Sequence, residues 1–141
     1  GPPLIDASLA RGEPVSLFMI DLDGFKRVND EHGHTTGDRL LCDFVRVIWR
    51  TARESDPVFR YGGDEFVIVT AGAGRLPAER LAEAIRQAAA ELEVEGMPGL
   101  ISVSIGIATG PADGSSLTEL LEAADRSMYA TRGSRSDLGH G

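Results

Sequence analysis

Apolar and polar positions follow patterns along the chain that predict a succession of helices and strands. Residues 4–11 are typical of a short helix. The run VSLFMIDL, from Val15 to Leu22, is apolar at almost every position and ends in an acid, which is typical of a strand buried on both faces. The segment 37–53 spaces its apolar residues with the period of a helix, so it predicts one.

Two short apolar segments come next, 57–60 and 65–70, and each predicts a strand. Between them stands the pair Gly62-Gly63, which is typical of the turn of a β-hairpin. We therefore expect two neighbouring antiparallel strands joined by a glycine turn.

The last third of the chain predicts a helix, a strand and a second helix. Pro77 opens the first helix, because proline is favoured in the first turn. Residues 101–108 alternate between apolar and polar or small side chains, as a strand does. Ser116 and Glu119 have the spacing of a capping box at the start of the last helix.

This order of elements predicts an α/β fold, an α+β sandwich on the ferredoxin-like plan with helices flanking a central mixed sheet. At 141 residues, we expect a single domain over 1–141. We interpret residues 1–3 as a tag remnant or linker, and the polar segment 133–141 as a flexible tail. The plan hosts many unrelated functions, so it does not determine the activity.

The net charge of −8 argues against two classes of partner. Nucleic acids and anionic membranes attract basic surfaces, so we expect this domain to bind neither of them. A nucleotide remains compatible with an acidic protein, because a metal ion and a few local bases can hold its phosphates.

Cysteine content and hydropathy indicate the compartment. The single cysteine, Cys42, cannot form a disulfide within the chain. Neither a signal peptide nor an apolar run near the roughly 18 residues of a membrane span is evident, so we expect a cytoplasmic protein. Cys42 lies in an apolar helical stretch and is expected to be a small buried core residue.

The first candidate site is DLDGFK, at the end of the apolar strand. The period of a strand places Asp21 and Asp23 on one side, where carboxylates suit Mg²⁺. Gly24 permits close approach of the backbone, and Lys26 can meet phosphate oxygens. The alternative is a strand that ends in a solvated acidic turn.

The second candidate site is RYGGDEF, in the expected hairpin. Asp64 and Glu65 are adjacent at its tip, and successive side chains point to opposite faces, so we expect them to have different roles. The alternative is an ordinary hairpin whose acids face solvent.

The third candidate site lies between Asn29 and Asp38. A carboxylate can accept from both N1–H and the 2-amino group of guanine, a donor pair that adenine lacks, so Asp38 would select guanine with help from Asn29. The alternative is that Asp38 only favours the start of a helix. His32 and His34 are interpreted as loop or capping residues, since nothing completes a metal site around them.

Together these segments resemble the GGDEF family of diguanylate cyclases. The resemblance extends from about Leu17 to Arg132, and DLDGFKRVNDEHGHTTGD followed by RYGGDEF carries it. It implies the nucleotidyl-cyclase variant of the ferredoxin-like fold. It also implies that two GTP molecules are joined into cyclic di-GMP across a homodimer, with release of two pyrophosphates.

The resemblance implies roles for the matching residues. The ligands of Mg²⁺, or of Mn²⁺ in its place, would be Asp21, Asp64 and the carbonyl of Leu22. The catalytic residues would be Asp64, Glu65 and Lys26. The residues that hold the nucleotide would be Phe25, Lys26, Asn29, Asp38, Gly62, Gly63 and Arg132.

A second binding site is implied by the pair Arg53 and Asp56. Their spacing to each other and to the hairpin resembles the RxxD motif with which the family binds cyclic di-GMP as an inhibitor. The alternative is an arginine at a helix end followed by an acidic turn.

The chain departs from the family pattern at both ends. The opening turn DxLTGLxNR and the last strand are missing, and Arg132 stands where a lysine is expected. A different function therefore stays open, that of an inactive GGDEF-like module that binds GTP or cyclic di-GMP as a sensor. Either module could be the cytoplasmic part of a larger sensor protein.

Overall fold

The computed structural model describes residues 2–52, 56–94, 97–98 and 102–139, with side chains over 4–52, 56–92 and 102–131. Its elements in chain order are α1 (Pro2–Ala10), β1 (Val15–Asp23), α2 (Phe25–His32), α3 (His34–Thr51), β2 (Val58–Arg60), β3 (Glu65–Ala71), α4 (Arg75–Ala90), β4 (Glu93–Val94), β5 (Met97–Pro98), β6 (Ser102–Gly110) and α5 (Leu117–Gly139). None of the described helices is long and apolar enough to cross a membrane.

The central sheet has the strand order β2-β3-β1-β6, and β4 pairs with β5 in a separate hairpin. This order confirms the sandwich on the ferredoxin-like plan. The expected mixed sheet is wrong for the described strands, because β1 pairs antiparallel with both β3 and β6, and β2 pairs antiparallel with β3. In the sheet, β3 lies between β1 and β2. The two strands that α2 and α3 connect, β1 and β2, are therefore not neighbours.

β1 is the strand on which both layers of the fold pack. Its Phe18 and Ile20 enter the core beneath α2, α3 and α4, whereas Leu17 and Met19 enter the core beneath α1 and α5. All four side chains are 2% exposed or less, which confirms the prediction of a strand buried on both faces. Burial of each such side chain stabilises the fold by about 1.5–3 kcal/mol.

α2 is a helix that the apolar pattern did not predict. Val28 is its one buried residue in the core, so eight residues contain no apolar stripe to detect. Gly24 begins the helix with φ of 81°, a left-handed conformation that favours glycine. Gly33, with φ of 90°, separates α2 from α3, which begins three residues before the expected Gly37.

The start of α5 is capped, although the bonds differ in part from the expected pattern. The hydroxyl of Ser116 accepts from the Glu119 amide at 3.2 Å, as in a capping box. The Glu119 carboxylate instead accepts from the amide of Ser115 at 2.9 Å. Asp6 of α1 accepts from the Leu117 amide at 2.9 Å and thereby ties the two helices together. The backbone of α5 runs to Gly139, through most of the segment for which we expected a tail.

Two further expectations differ from the structure. α4 begins at Arg75, so Pro77 lies within its first turn rather than at its first position. Cys42 is exposed, not buried. The buried residues of α3 include Leu41 and Phe44, and Cys42 lies off that face because each residue turns the helix by about 100°.

Gly106 of β6 is the position at which α5 lies directly on the sheet. A Cβ there would be 2.8 Å from the Met128 Cα and closer still to the Met128 nitrogen and the Ala124 carbonyl. Since these are backbone atoms, the helix would have to shift. Gly106→Ala should lower the free energy of unfolding by roughly 2–3 kcal/mol, measured from urea unfolding curves.

Gly74→Ala is the matched control for this prediction. A Cβ at Gly74 would meet no atom within 4 Å, and its φ of −80° suits any residue. We expect a loss of about 0.5 kcal/mol, the scale of a weakened helix cap. Equal losses in the two variants would show that the contact of α5 with β6 is not tight.

Candidate active site

The carboxyl end of β1 meets the β2–β3 hairpin through the antiparallel register of the sheet. Asp21 lies directly opposite Glu65. One residue further, the Leu22 amide donates to the Asp64 carbonyl at 3.2 Å, so the pairing continues into the hairpin loop. The structure therefore brings together the acidic strand end and the acidic turn, which are more than forty residues apart in the chain.

The two aspartates at the end of β1 have different surroundings. Asp21 is 6% exposed and lies between β3 and β6. Asp23 accepts hydrogen bonds from the hydroxyls of Ser102 at 3.0 Å and Ser104 at 2.8 Å. Of the two aspartates expected to suit a metal, Asp23 is the less available, because both of its carboxylate oxygens already accept hydrogen bonds from serines of β6.

Arg60 holds the hairpin loop, a role that the sequence analysis did not assign to it. Its guanidinium donates to the carbonyls of Gly62 at 3.2 Å and Gly63 at 2.6 Å. The Tyr61 amide donates to the Glu65 carbonyl at 2.8 Å and closes the loop. The position of Arg60 two residues before the glycine pair was the only signal in the sequence.

The predicted hairpin is confirmed, but its two glycines are not required by the turn. The left-handed glycines of the described chain lie at other positions. A Cβ at Gly63 would meet no atom within 4 Å, and at Gly62 its nearest contact would be Glu65 Oε2 at an ordinary 3.5 Å. The protein itself therefore tolerates side chains here, and the surface beside the loop is open.

The hairpin acids lie in a concentrated negative field. Burial raises the pKa of Glu65 above its usual value, and the charges of Asp64 and Asp125 raise it further. Asp125 belongs to α5, and its charge acts on Glu65. Asp125 is not among the candidate residues that the sequence indicates, because nothing in its local pattern relates it to a hairpin sixty residues earlier.

The donors at this site suit a hard divalent cation. No group of three or more His, Cys, Asp or Glu side chains in the described part of the chain is arranged to hold a metal. Asp21, Asp64 and the Leu22 carbonyl are oxygen donors on the two paired segments, and their grouping around one cation stays a prediction. Mg²⁺ is commonly bound in this way, through one or two carboxylates, with water and phosphate at its remaining positions.

Four of the residues expected to bind the nucleotide lie on α2 and at the start of α3. Phe25 and Lys26 form the first turn of α2, directly after β1; Phe25 packs against the core and Lys26 is exposed. Asn29 is half-buried on α2, and Asp38 is exposed in the second turn of α3. The two helices pack against each other.

The two histidines of this region end and begin helices. His32 is the last residue of α2 and His34 is the first residue of α3. They therefore flank the glycine between the helices, close to the loop and capping positions that we expected for them.

The residues of the expected inhibitory site are only partly described. Asp56 is 6% exposed and lines a groove of about 330 Å³ with Thr51 and Thr70. Arg53 lies outside the described residues. Arg132 lies on the backbone of α5, and its side chain is outside the described part.

Comparison with known sequences identifies the family. A sequence model described as "Diguanylate cyclase, GGDEF domain" matches residues 4–137. The chain is a GGDEF domain. Diguanylate cyclase DgcM of Escherichia coli is 39% identical over 124 residues, which are 88% of this chain and 30% of that protein. Response regulator PleD of Caulobacter vibrioides is 33% identical over 140 residues, 93% of this chain and 30% of that protein.

Solved structures of GGDEF domains have the same fold. The active GGEEF domain of a diguanylate cyclase from Vibrio cholerae has a TM-score of 0.84 and 27% identity, covering 92% of this chain and 83% of that one. The GGDEF domain of DgcB from Caulobacter crescentus, in complex with c-di-GMP, has a TM-score of 0.79 and 29% identity, covering 91% and 77%. Because the chain spans about a third of its curated relatives, those proteins contain more than this domain.

The acidic field at Glu65 predicts a pH-dependent cost to folding. The pKa of Glu65 is higher in the folded than in the unfolded chain. Ionisation of Glu65 at a pH above this raised pKa therefore lowers the free energy of unfolding. In metal-free buffer at neutral pH, Glu65→Gln should raise the free energy of unfolding by up to about 1 kcal/mol. This gain should shrink as the pH falls and vanish below the ordinary pKa of glutamate. Chemical unfolding of the variant and the wild type at several pH values measures it.

Glu119→Gln is a control of opposite sign. The amide and hydroxyl of Ser115 lower the pKa of Glu119, so its ionised form stabilises the fold. Its replacement should lower stability at neutral pH, with a loss that disappears as the pH falls through the lowered pKa. If both variants changed stability in the same direction, the assigned field at Glu65 would be wrong.

Proposed function

We propose that this domain is a diguanylate cyclase that condenses two GTP molecules into cyclic di-GMP and two pyrophosphates. The observation that supports it most is the hydrogen bond from the Leu22 amide to the Asp64 carbonyl at 3.2 Å. Together with the opposition of Asp21 and Glu65, it joins the two acidic segments into one cluster. An acidic cluster beside an open glycine loop suits a triphosphate that arrives with a divalent cation.

The reaction forms and breaks one bond to phosphorus in each of two steps. The 3′-hydroxyl oxygen of one GTP attacks the α-phosphorus of the other, and the bond from that phosphorus to pyrophosphate breaks. The hydroxyl proton leaves to a base, a role that we assign to Glu65. The reverse attack, with loss of the second pyrophosphate, closes the ring.

The side chains of this domain have separate roles in that scheme. Asp21, Asp64 and the Leu22 carbonyl would hold Mg²⁺ or Mn²⁺, which when bound neutralises phosphate charge and lowers the pKa of the attacking hydroxyl. Lys26 adds positive charge next to the triphosphate, and Phe25 shapes the pocket. Arg132 is proposed as a further contact to the triphosphate.

The glycine loop and the two helices would position the rest of the nucleotide. Gly62 and Gly63 leave space that neither the turn nor a protein contact requires, so we infer that the nucleotide lies against their backbone. Asp38 would accept from N1–H and the 2-amino group of guanine and Asn29 would pair with the rest of that edge, which selects GTP over ATP.

One domain would supply only half of the catalytic arrangement. Each protomer binds one GTP, so the two nucleotides react only when two domains face each other as a homodimer. Because association is then a condition of turnover, partner domains that bring two copies together would control the output. We place this reaction in the cytoplasm, where GTP is available.

A sensor without catalysis is the second candidate function. Asp56, half of the expected inhibitory motif, is buried and lines a groove next to Thr51, and a domain of this kind could bind cyclic di-GMP without making it. The four site acids Asp21, Asp38, Asp64 and Glu65 favour the enzyme.

Incubation of the chain with GTP and Mg²⁺ tests the proposal. We expect cyclic di-GMP and pyrophosphate by mass spectrometry, at a rate that rises faster than linearly with protein concentration. Asp64→Asn should lower that rate at least about a hundredfold, because it removes a metal ligand and leaves the backbone bond to Leu22 intact. Its unfolding midpoint should stay at or above that of the wild type.

Asp43→Asn is the control for this experiment. Asp43 lies on α3 and pairs with the exposed Arg46 at 3.5 Å, so its loss should leave the rate unchanged. Product formation by Asp64→Asn at the wild-type rate would contradict the enzyme. Binding of cyclic di-GMP with no product at any concentration would favour the sensor.

The inhibitory site predicts a separable effect at Arg53. Added cyclic di-GMP should slow the wild type, and Arg53→Ala should remove that inhibition without lowering the initial rate. Arg53→Lys should restore it only in part, because an ammonium cannot bind phosphate or guanine in a bidentate way. Arg50→Ala, on the exposed last turn of α3, is the control and should remain inhibited.

A further inference from the structure

α3 packs against α2, and Gly37 of α3 faces Asn29 of α2. Gly37 is buried in the first turns of α3. A Cβ built at Gly37 would be 2.9 Å from the Asn29 Cγ and would overlap its Oδ1, and it would be 3.4 Å from the Phe25 ring. The absence of a side chain at Gly37 is therefore what leaves room for the amide of Asn29.

Nothing in the described part of the chain holds that amide oxygen by a hydrogen bond. The Oδ1 atom of Asn29 is buried and has no hydrogen-bond partner among the described residues. The position of the side chain thus depends on packing against Gly37 and Phe25. A change in that packing would move the amide, because no hydrogen bond to its oxygen from the described residues holds it in place.

We propose that Gly37 is a positioning residue for guanine recognition. Its lack of a Cβ lets Asn29 lie against α3 next to Asp38, so that the two side chains act on one base. The inference rests on the proposed function, which assigns the guanine edge to Asn29 and Asp38, and adds a residue that touches neither base nor phosphate.

The conformation of Gly37 does not by itself require glycine. Gly37 is absent from the left-handed glycines of the described chain and lies inside α3, where alanine is favoured over glycine. Alanine at this position would therefore stabilise the helix if Asn29 were not in the way. The cost of Gly37→Ala should come through Asn29, which makes the inference testable by a pair of substitutions.

The test measures equilibrium binding of the α,β-methylene analogues of GTP and ATP, which cannot release pyrophosphate. Gly37→Ala should weaken binding of the guanine analogue about tenfold, the scale of one lost hydrogen-bonding group at a base. Binding of the adenine analogue should change less than about twofold, because the triphosphate contacts are untouched. In turnover, KM for GTP should rise about tenfold and kcat should stay within about twofold.

A double-mutant cycle with Asn29→Ala separates positioning from general damage. Asn29→Ala alone should weaken binding of the guanine analogue about tenfold. Adding Gly37→Ala to it should cost no further affinity and should raise the unfolding midpoint, because the obstructing amide is gone and the helix gains alanine. Thr35→Ala, exposed and two residues away, is the matched control and should bind as the wild type does.

The outcomes distinguish this inference from the proposed function. Two results would overturn the role of Gly37 while leaving the cyclase proposal intact. One is losses of affinity for the guanine analogue that multiply in the double variant; the other is unchanged binding of that analogue by Gly37→Ala. A wild-type domain with no preference for the guanine analogue would overturn both. A tenfold loss for Gly37→Ala that disappears in the Asn29→Ala background supports the inference.

Discussion

The antiparallel pairing of β1 with β3 is the interaction on which both the fold and the site depend. β1 contributes to the cores on both faces of the sheet, so a shift in its register would disrupt the packing of both. That same register opposes Asp21 to Glu65 and ends with the bond from Leu22 to Asp64. The packing that stabilises the domain therefore also sets the geometry of its acidic cluster.

Repulsion between the carboxylates of the acidic cluster opposes folding, and hydrogen bonds from neighbouring residues hold the cluster in place. Burial and two neighbouring carboxylates raise the pKa of Glu65, which means that its ionised form is disfavoured in the folded chain. Arg60 fixes the loop carbonyls, and the serines of β6 bind Asp23, so the strand end and the hairpin keep their places despite the repulsion. Carboxylates with perturbed pKa values are typical of functional sites.

Two glycines let helices approach their neighbours more closely than any side chain would permit. Gly106 receives the backbone of α5 on the sheet, and Gly37 receives the Asn29 amide at the contact of α2 with α3. The first contact sets where α5 lies on the sheet, and the second sets where the Asn29 side chain lies against α3. In both cases the glycine serves packing between elements and not the conformation of its own residue.

The sequence by itself determined the buried central strand, the hairpin, the ferredoxin-like order of elements and the motifs that indicate the family, because each is written in local periodicity or in neighbouring residues. It could not reveal α2, which has one buried residue and no apolar stripe, nor the exposure of Cys42. Only the tertiary structure decided the antiparallel sheet, the contribution of Asp125 to the field at Glu65, the loop bonds of Arg60 and the contact of Gly37 with Asn29. These depend on which distant segments meet in space, and a one-dimensional pattern contains no distances between them.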